Sequence, residues 1–161
     1  MSLRLYLLRH GQAANRAEWQ GEDAARPLTA DGKRKVQRGG ATLRALDLDL
    51  DQIITSPLVR AQQTAEIVAS ALGLGARLVM DPRLAPGFGP RQLKDLLSTH
   101  RSASALMLVG HEPDFSEIIS HLIGGGRLDV KKGALALVEL PDPTSLEGRL
   151  LWLIPPKVLD R

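Results

Sequence analysis

The sequence predicts a single α/β domain of three layers: a mostly parallel central sheet of about six strands, with helices on both faces. Three observations predict it. Short apolar runs at 3–8, 51–55, 77–80 and 105–109 alternate with longer stretches of helical periodicity. Those stretches open on Ser, Thr or Pro and close on Gly, as helices do. Two final apolar runs, 134–140 and 149–154, flank the turn-rich segment 141–148 and read as a hairpin free to add an antiparallel edge.

The run 3–8 (LRLYLL) is apolar except at Arg4, the pattern of a strand covered on both faces. Residues 11–28 are polar and irregular and are closed by Arg26-Pro27. A helix then opens with Thr29 as N-cap and with Val36, Leu43 and Leu46 as its apolar stripe. Gly39-Gly40 inside it weakens the helix by about 1 kcal/mol per glycine, and close packing of helix on sheet accounts for the pair. After the strand at 51–55, Ser56 is the expected N-cap and Pro57 the first helical residue. That helix runs through Ala61, Ala65, Val68, Ala69 and Leu72 to a stop at Gly73. A short strand at 77–80, a Pro/Gly-rich loop at 81–90 and a helix at 92–98 come next. The strand at 105–109 is followed by a helix over 113–123, ended by Gly124-Gly125-Gly126. No repeat or low-complexity linker divides residues 1–161, so one domain is expected.

A chain of 161 residues can bury roughly 70% of its unfolded surface. Its 43% hydrophobic and 24% charged residues argue against disorder. Lys+Arg exceed Asp+Glu by 21 to 18, a mild and scattered surplus that suits small anions or acidic protein surfaces and does not call for nucleic acid. The absence of cysteine excludes disulfides, thiolate metal sites and a cysteine nucleophile, and weakly favours a reducing compartment. Met1-Ser2-Leu3-Arg4-Leu5 lacks the form of a signal peptide, and no apolar stretch approaches the roughly 18 residues of a membrane helix. No membrane partner and a cytoplasmic location are the expectation.

Three strands end at residues fit to grip or attack a phosphoryl group. The first runs into Arg9-His10-Gly11, the second into Ser56-Pro57-Leu58-Val59-Arg60, and the fourth into Gly110-His111. Ligands of open α/β sheets bind outside the carboxyl ends of the strands. A neutral imidazole at His10 can attack phosphorus and hold the phosphoryl group covalently. The guanidiniums of Arg9 and Arg60 supply the forked donors that phosphoryl transfer requires, and a protonated His111 adds a third cation. Gly11 lets backbone amides approach an anion closely. Arg60 falls in the first turn of its helix, where the macrodipole disfavours a cation, and a bound anion reverses that argument.

Other residues read as bland. His100 and His121 fall on predicted helices as surface or packing residues, and Lys131-Lys132 reads as a solvated turn in preference to a contact for an acidic partner. Four dispersed histidines without cysteine give no metal site. Gly124-Gly125-Gly126 lacks the Lys-Ser/Thr of a P-loop.

Arg9-His10-Gly11, the stretch 56–65 (SPLVRAQQTA) and Val109-Gly110-His111-Glu112 resemble the signature of the histidine phosphatase superfamily, which includes phosphoglycerate mutases and acid phosphatases. Leu28-Thr29 and Gly32 are similar to the start of that family's first helix, and the likeness runs from about residue 3 to about residue 154. The small size, Arg26-Pro27-Leu28-Thr29 and Gly110-His111-Glu112-Pro113 are most similar to its SixA branch of protein phosphohistidine phosphatases. The resemblance implies His10 as the phosphorylated nucleophile, and Arg9, Arg60 and His111 as the pocket around the phosphoryl oxygens. Ser56 would lend a supporting hydrogen bond, and neither metal nor cofactor is implied. The partner would be a phosphohistidine-bearing signalling protein or a small phosphorylated substrate.

Two departures bear on substrate. Larger members carry an insertion after the third strand with a glutamate as general acid, whereas loop 81–90 (DPRLAPGFGP) is short and has none. Mutases place an asparagine after the nucleophile, and Asn15 falls one residue short of that spacing. Expelling an alkoxide calls for a proton donor, whereas phosphohistidine has a more labile P–N bond and a nitrogen that can be protonated beforehand. An acid-free, open pocket therefore matches phosphohistidine better, although Glu112, Asp114 or Glu22 remains available as a donor. The alternatives are a broad phosphomonoesterase for sugar phosphates or nucleotides, and an inactive phosphate-binding module.

Overall fold

The apolar runs that end at polar residues lie side by side in one sheet. A computed structural model describes residues 1–161. Its strands are β1 (Leu3–Arg9), β2 (Gln52–Thr55), β3 (Leu78–Met80), β4 (Ala105–Gly110), β5 (Leu135–Asp142) and β6 (Glu147–Ile154). The helices are α1 (Ala30–Ala45), α2 (Val59–Leu72), α3 (Pro90–Ser98), α4 (Asp114–Leu122) and α5 (Pro156–Leu159). The six strands run in the order β3-β2-β4-β1-β5-β6. The first four are mutually parallel, and β5 and β6 form the expected antiparallel edge.

Side chains alternate across a strand, and each face of this sheet has its own core. Leu3, Leu5 and Leu7 of β1 and Leu106 and Leu108 of β4 join Leu93, Leu96, Phe115 and Ile119 of α3 and α4. Tyr6, Leu8, Met107 and Val109 face the other way, onto Val36, Leu43, Ala61, Ala65 and Val68 of α1 and α2. With both faces covered, β4 is apolar throughout and β1 is apolar from Leu5 to Leu8, which is why their runs do not alternate.

Local signals are mostly read correctly. Thr29 caps α1, its hydroxyl oxygen accepting from the Gly32 amide at 2.9 Å. Gly73 ends α2 in the left-handed region at φ 69°. Ser56 differs from expectation. Leu58, with an extended backbone at φ −69° and ψ 139°, occupies the cap position of α2, and the helix begins at Val59. The Ser56 hydroxyl instead accepts from the Leu58 amide at 3.1 Å, tightening the entry turn one step earlier. Leu46 falls outside the apolar stripe because it follows the last turn of α1 and is 48% exposed. His100 lies in the turn after α3, not on it. The helix expected over 113–123 spans Asp114–Leu122. The four-residue α5 and the 3-10 turns Asp23–Ala25, Gly75–Arg77 and Pro82–Leu84 are too short to give a periodic signal.

Gly39 and Gly40 do not pack against the sheet. A Cβ on Gly40 would meet the Ala71 Cβ at 2.8 Å, so this glycine lets α1 approach α2. A Cβ on Gly39 would sit 3.8 Å from the Leu159 Cβ, an ordinary contact. Gly40→Ala is therefore expected to destabilise, because overpacking of about 1–3 kcal/mol exceeds the helix gain of about 1 kcal/mol. Gly39→Ala is expected to stabilise by up to about 1 kcal/mol. Urea denaturation of both variants checks the pair, and equal effects would contradict this account of the helix contact.

Candidate active site

Strand register decides what stands next to what. Arg9 pairs with Gly110, so His10 and His111 leave adjacent parallel strands at the same level. Backbone hydrogen bonds carry the ladder one step further: the His10 amide donates to Gly110 at 3.1 Å, and the Ser56 amide to Val109 at 3.0 Å. The imidazole rings of His10 and His111 are 5.3 Å apart between centroids, inclined at 56°. His10, Ser56, Arg60 and His111 are all buried, among the few polar residues of which that is true. Arg9, His10, Arg60 and His111 line one open cavity of about 730 Å³ at the carboxyl edge of the sheet. The four side chains singled out from the sequence are thus brought together.

Hydrogen bonds orient each imidazole. His10 Nδ1 lies 2.7 Å from the Gly11 carbonyl. A carbonyl only accepts, so Nδ1 carries the proton and Nε2 keeps its lone pair. Gly11 is held in turn, its amide donating to the Thr64 hydroxyl at 3.0 Å while that hydroxyl donates to the Arg60 carbonyl at 2.8 Å. The Gly11 amide is thus taken, and Gly11 does not line the cavity around His10 as expected for an anion-binding glycine; its reason to be glycine is packing, since a Cβ there would meet Val36 Cγ2 at 2.6 Å. His111 Nε2 lies 2.7 Å from the Ser56 hydroxyl. That hydroxyl accepts from the Leu58 amide and has no acceptor for its own proton other than Nε2, which assigns the His111 proton to Nδ1.

The guanidiniums are anchored at one end and unpartnered at the other. Arg9 Nη1 donates to the Val130 carbonyl at 2.9 Å. Arg60 donates through Nη1 to the Asp23 carbonyl at 2.9 Å and through Nη2 to Asp23 Oδ2 at 3.1 Å. Buried polar atoms are almost always hydrogen-bonded, yet Arg9 Nε, Arg60 Nε and His111 Nδ1 are buried without a partner. All three are donors on side chains lining the cavity that contains His10. Three unmatched donors on side chains that line one cavity suit the binding of an oxyanion.

Two residues at the site escape sequence reasoning. The 3-10 turn Asp23–Ala25 folds back so that Asp23 pairs with Arg60 and Arg26 at 3.1 Å each. Arg26, itself buried, also donates to the Ala14 carbonyl at 2.7 Å and lines the cavity. Desolvation raises the Asp23 carboxyl, but hydrogen bonds from Arg26 and Arg60 and their charges outweigh it and hold it below its usual value. The i,i+3 spacing of Asp23 and Arg26 ahead of Pro27 is the one signal that could have exposed them. Of the three alternative proton donors, Glu112 lines the cavity. Asp114 instead accepts the Gly87 and Phe88 amides, at 2.9 and 3.2 Å. No cluster of candidate metal ligands is present. No helix is long and apolar enough to cross a membrane.

A fold with two such histidines and two such arginines at the carboxyl edge of its sheet defines a phosphoryl-handling protein. Residues 5–90 match the model of the histidine phosphatase superfamily, branch 1, and the chain belongs to that superfamily. It is 38% identical to an uncharacterised protein of Picosynechococcus sp. over 83% of this chain and 82% of that one. It is likewise 38% identical to "Probable phosphoglycerate mutase GpmB" of Cronobacter sakazakii, over 70% of this chain but only 52% of that longer protein. Phosphohistidine phosphatase SixA of Escherichia coli is 26% identical over 96% of this chain and 94% of its own. The solved structure of the protein histidine phosphatase SixA complexed with tungstate superposes with a TM-score of 0.86 at 25% identity, covering 98% of this chain and 99% of that one.

Burial above all lowers the His10 pKa to about 3; the Gly11 hydrogen bond opposes this, while His111, Arg60 and Arg9 add to it. Burial also leads in lowering His111 to about 4, with the charges of Arg60 and Arg9 adding to it against Asp23. Both rings are therefore neutral at neutral pH, so the third cation that a protonated His111 would add is not present in the unliganded chain. In the unfolded chain each takes a proton near 6.5. Below that pH the unfolded state gains protons that the folded state refuses, so stability falls until the folded pKa values near 4 and 3 are reached. Thermal melting is expected to drop between pH 6.5 and 4, with a shallower slope in His111→Gln; an unchanged slope would show that His111 is not buried in the neutral form.

Proposed function

We propose that the protein is a metal-independent phosphatase that works through a phosphoryl intermediate on His10, with phosphohistidine of a signalling protein as its preferred substrate. The observation that carries the first part is that one cavity is lined by an imidazole whose Nε2 keeps its lone pair and by three side chains with unmatched buried donors, Arg9 Nε, Arg60 Nε and His111 Nδ1. In the first step Nε2 attacks phosphorus, the P–N bond of the substrate breaks, and the leaving imidazole departs with the proton it already carries. In the second, water attacks the phosphorus of phospho-His10, the new P–N bond breaks, and inorganic phosphate leaves with the water's oxygen. The three donors and the flanking guanidinium charges stabilise the equatorial oxygens in both steps.

The proton inventory supports the choice of leaving group. Loop 81–90 reaches the cavity only through Pro86. Asp23 is held in its ionised form by Arg26 and Arg60, which makes it a poor acid at neutral pH. A phosphohistidine substrate needs no acid from the protein. The SixA relatives, described by their names as phosphohistidine phosphatases, support the same choice.

One observation favours a second reading, a small-molecule phosphomonoesterase. Glu112 lines the cavity, and the hydrogen bond recorded for its carboxyl engages Oε1 alone, from the Ser116 amide at 2.7 Å. Its other oxygen is thus available to protonate an alkoxide.

Brief reaction with ³²P-labelled substrate, quenched in alkali, is expected to trap label on His10, and His10→Ala to abolish both label and turnover. Arg60→Ala is expected to lower kcat by about 10²–10³. A phosphohistidine protein is expected to be hydrolysed faster than a phosphomonoester at matched concentration. The reverse order, together with loss of ester hydrolysis in Glu112→Gln, would favour the second reading. Tungstate binding without turnover of any substrate would leave a phosphate-binding module.

A further inference from the structure

We propose that a second cavity, beside the catalytic one, binds a small organic anion with an apolar body. This cavity measures about 510 Å³, within the range of small-molecule sites. Four lysines line it: Lys35 on α1, Lys131 and Lys132 ahead of β5, and Lys157 on α5. The chain has only two others, Lys33 and Lys94. Lysines from three separate segments thus gather at one hollow in a protein whose cations are mostly arginine. Lys35 pairs with Asp31 at 3.2 Å, whereas Lys131, Lys132 and Lys157 form no ion pair. The carboxylate lining the cavity is that of Asp160.

Besides the lysines, the lining includes the apolar side chains of Leu8, Val36, Leu43, Val68 and Leu159. Lysine ammonium groups attract an anion as point charges without demanding one geometry. An occupant that satisfies both kinds of lining carries a carboxylate, sulfonate or phosphate on an aromatic or aliphatic body. An inorganic ion would leave the apolar part unfilled.

Gly39 gives an independent reason to regard the space as kept open. Gly40 is required by its contact with Ala71, but a Cβ on Gly39 would fit at 3.8 Å from Leu159. No helix contact explains Gly39, and glycine there costs α1 about 1 kcal/mol relative to alanine. Gly39 lines this cavity, and a side chain there would narrow it against α5.

Arg9, Gln12 and Lys132 line this cavity and the catalytic one alike. The two anions would therefore repel across a shared wall, so that an oxyanion at His10 weakens the second anion a few-fold without displacing it.

The probe is 1-anilinonaphthalene-8-sulfonate, an apolar-bodied anion, titrated by fluorescence into the intact protein with saturating inorganic phosphate. One site per chain is expected, about tenfold tighter than for the uncharged N-phenyl-1-naphthylamine. The double variant Lys131→Glu/Lys157→Glu is expected to weaken the sulfonate about tenfold, and Gly39→Leu, which fills the hollow, to abolish binding. Should the double variant fail to fold, Gly39→Leu and the uncharged probe still decide. The proposal is overturned by no binding, by full displacement with phosphate, by equal affinity for the uncharged probe, or by unchanged binding in either folded variant.

Discussion

One backbone constraint governs the site: the in-register parallel pairing of β1 with β4. Because Arg9 lies opposite Gly110, the next residues of the two strands are both histidines, and their rings meet at 5.3 Å. A slip of one residue would send every side chain of β1 to the opposite face. The cost of such a slip is high, because Leu3, Leu5 and Leu7 belong to one core and Tyr6 and Leu8 to the other. Geometry at the reacting atoms is therefore enforced by leucines well away from them. The β2–β4 pairing extends the same control to Ser56, whose hydroxyl fixes which nitrogen of His111 bears the proton.

The second constraint is electrostatic. Arg9, Arg26, Arg60 and Lys132 share one cavity, and like charges so gathered oppose the compact state. Asp23 offsets part of this by pairing with Arg60 and Arg26, and the Val130 and Ala14 carbonyls take two further donors. The remaining donors have nothing to bind within the chain. An anion that satisfies them binds the folded state alone, so ligand affinity and fold stability are linked quantities here.

Legibility in the sequence follows from how each residue acquires its place. Arg9 closes β1, His10 and His111 directly follow β1 and β4, and Arg60 stands in the first turn of the helix after β2, so the apolar runs and that helix start locate them. Their convergence also follows from the parallel sheet, which the alternation of strands and helices announces. Asp23 and Arg26 reach the site through a three-residue turn folding back from an irregular segment, and no periodicity marks such a return. Thr64, which joins Gly11 to the Arg60 carbonyl, looks in the sequence like one more residue of a helix. Ser56 touches the site through its hydrogen bond to His111, while Leu58 takes the cap position of α2 because its backbone is still extended. Gly39 and Gly40 look alike in the sequence, and only the positions of Ala71 and Leu159 separate them.

Loop 81–90 is tied down at both ends. Asp81 grips Arg83 through side chain and backbone, while the Gly87 and Phe88 amides hang from Asp114, the first residue of α4. The Phe88 ring then packs edge-on against Phe115, 6.5 Å between centroids. Between these moorings Ala85 and Pro86 form a short bridge, with Pro86 at the cavity rim. Chain inserted at that bridge would roof the pocket without disturbing a strand or helix. Under the proposed function, a single graft of modest length, bearing one carboxylic acid, is thus a route by which this scaffold can take up more strongly bonded leaving groups.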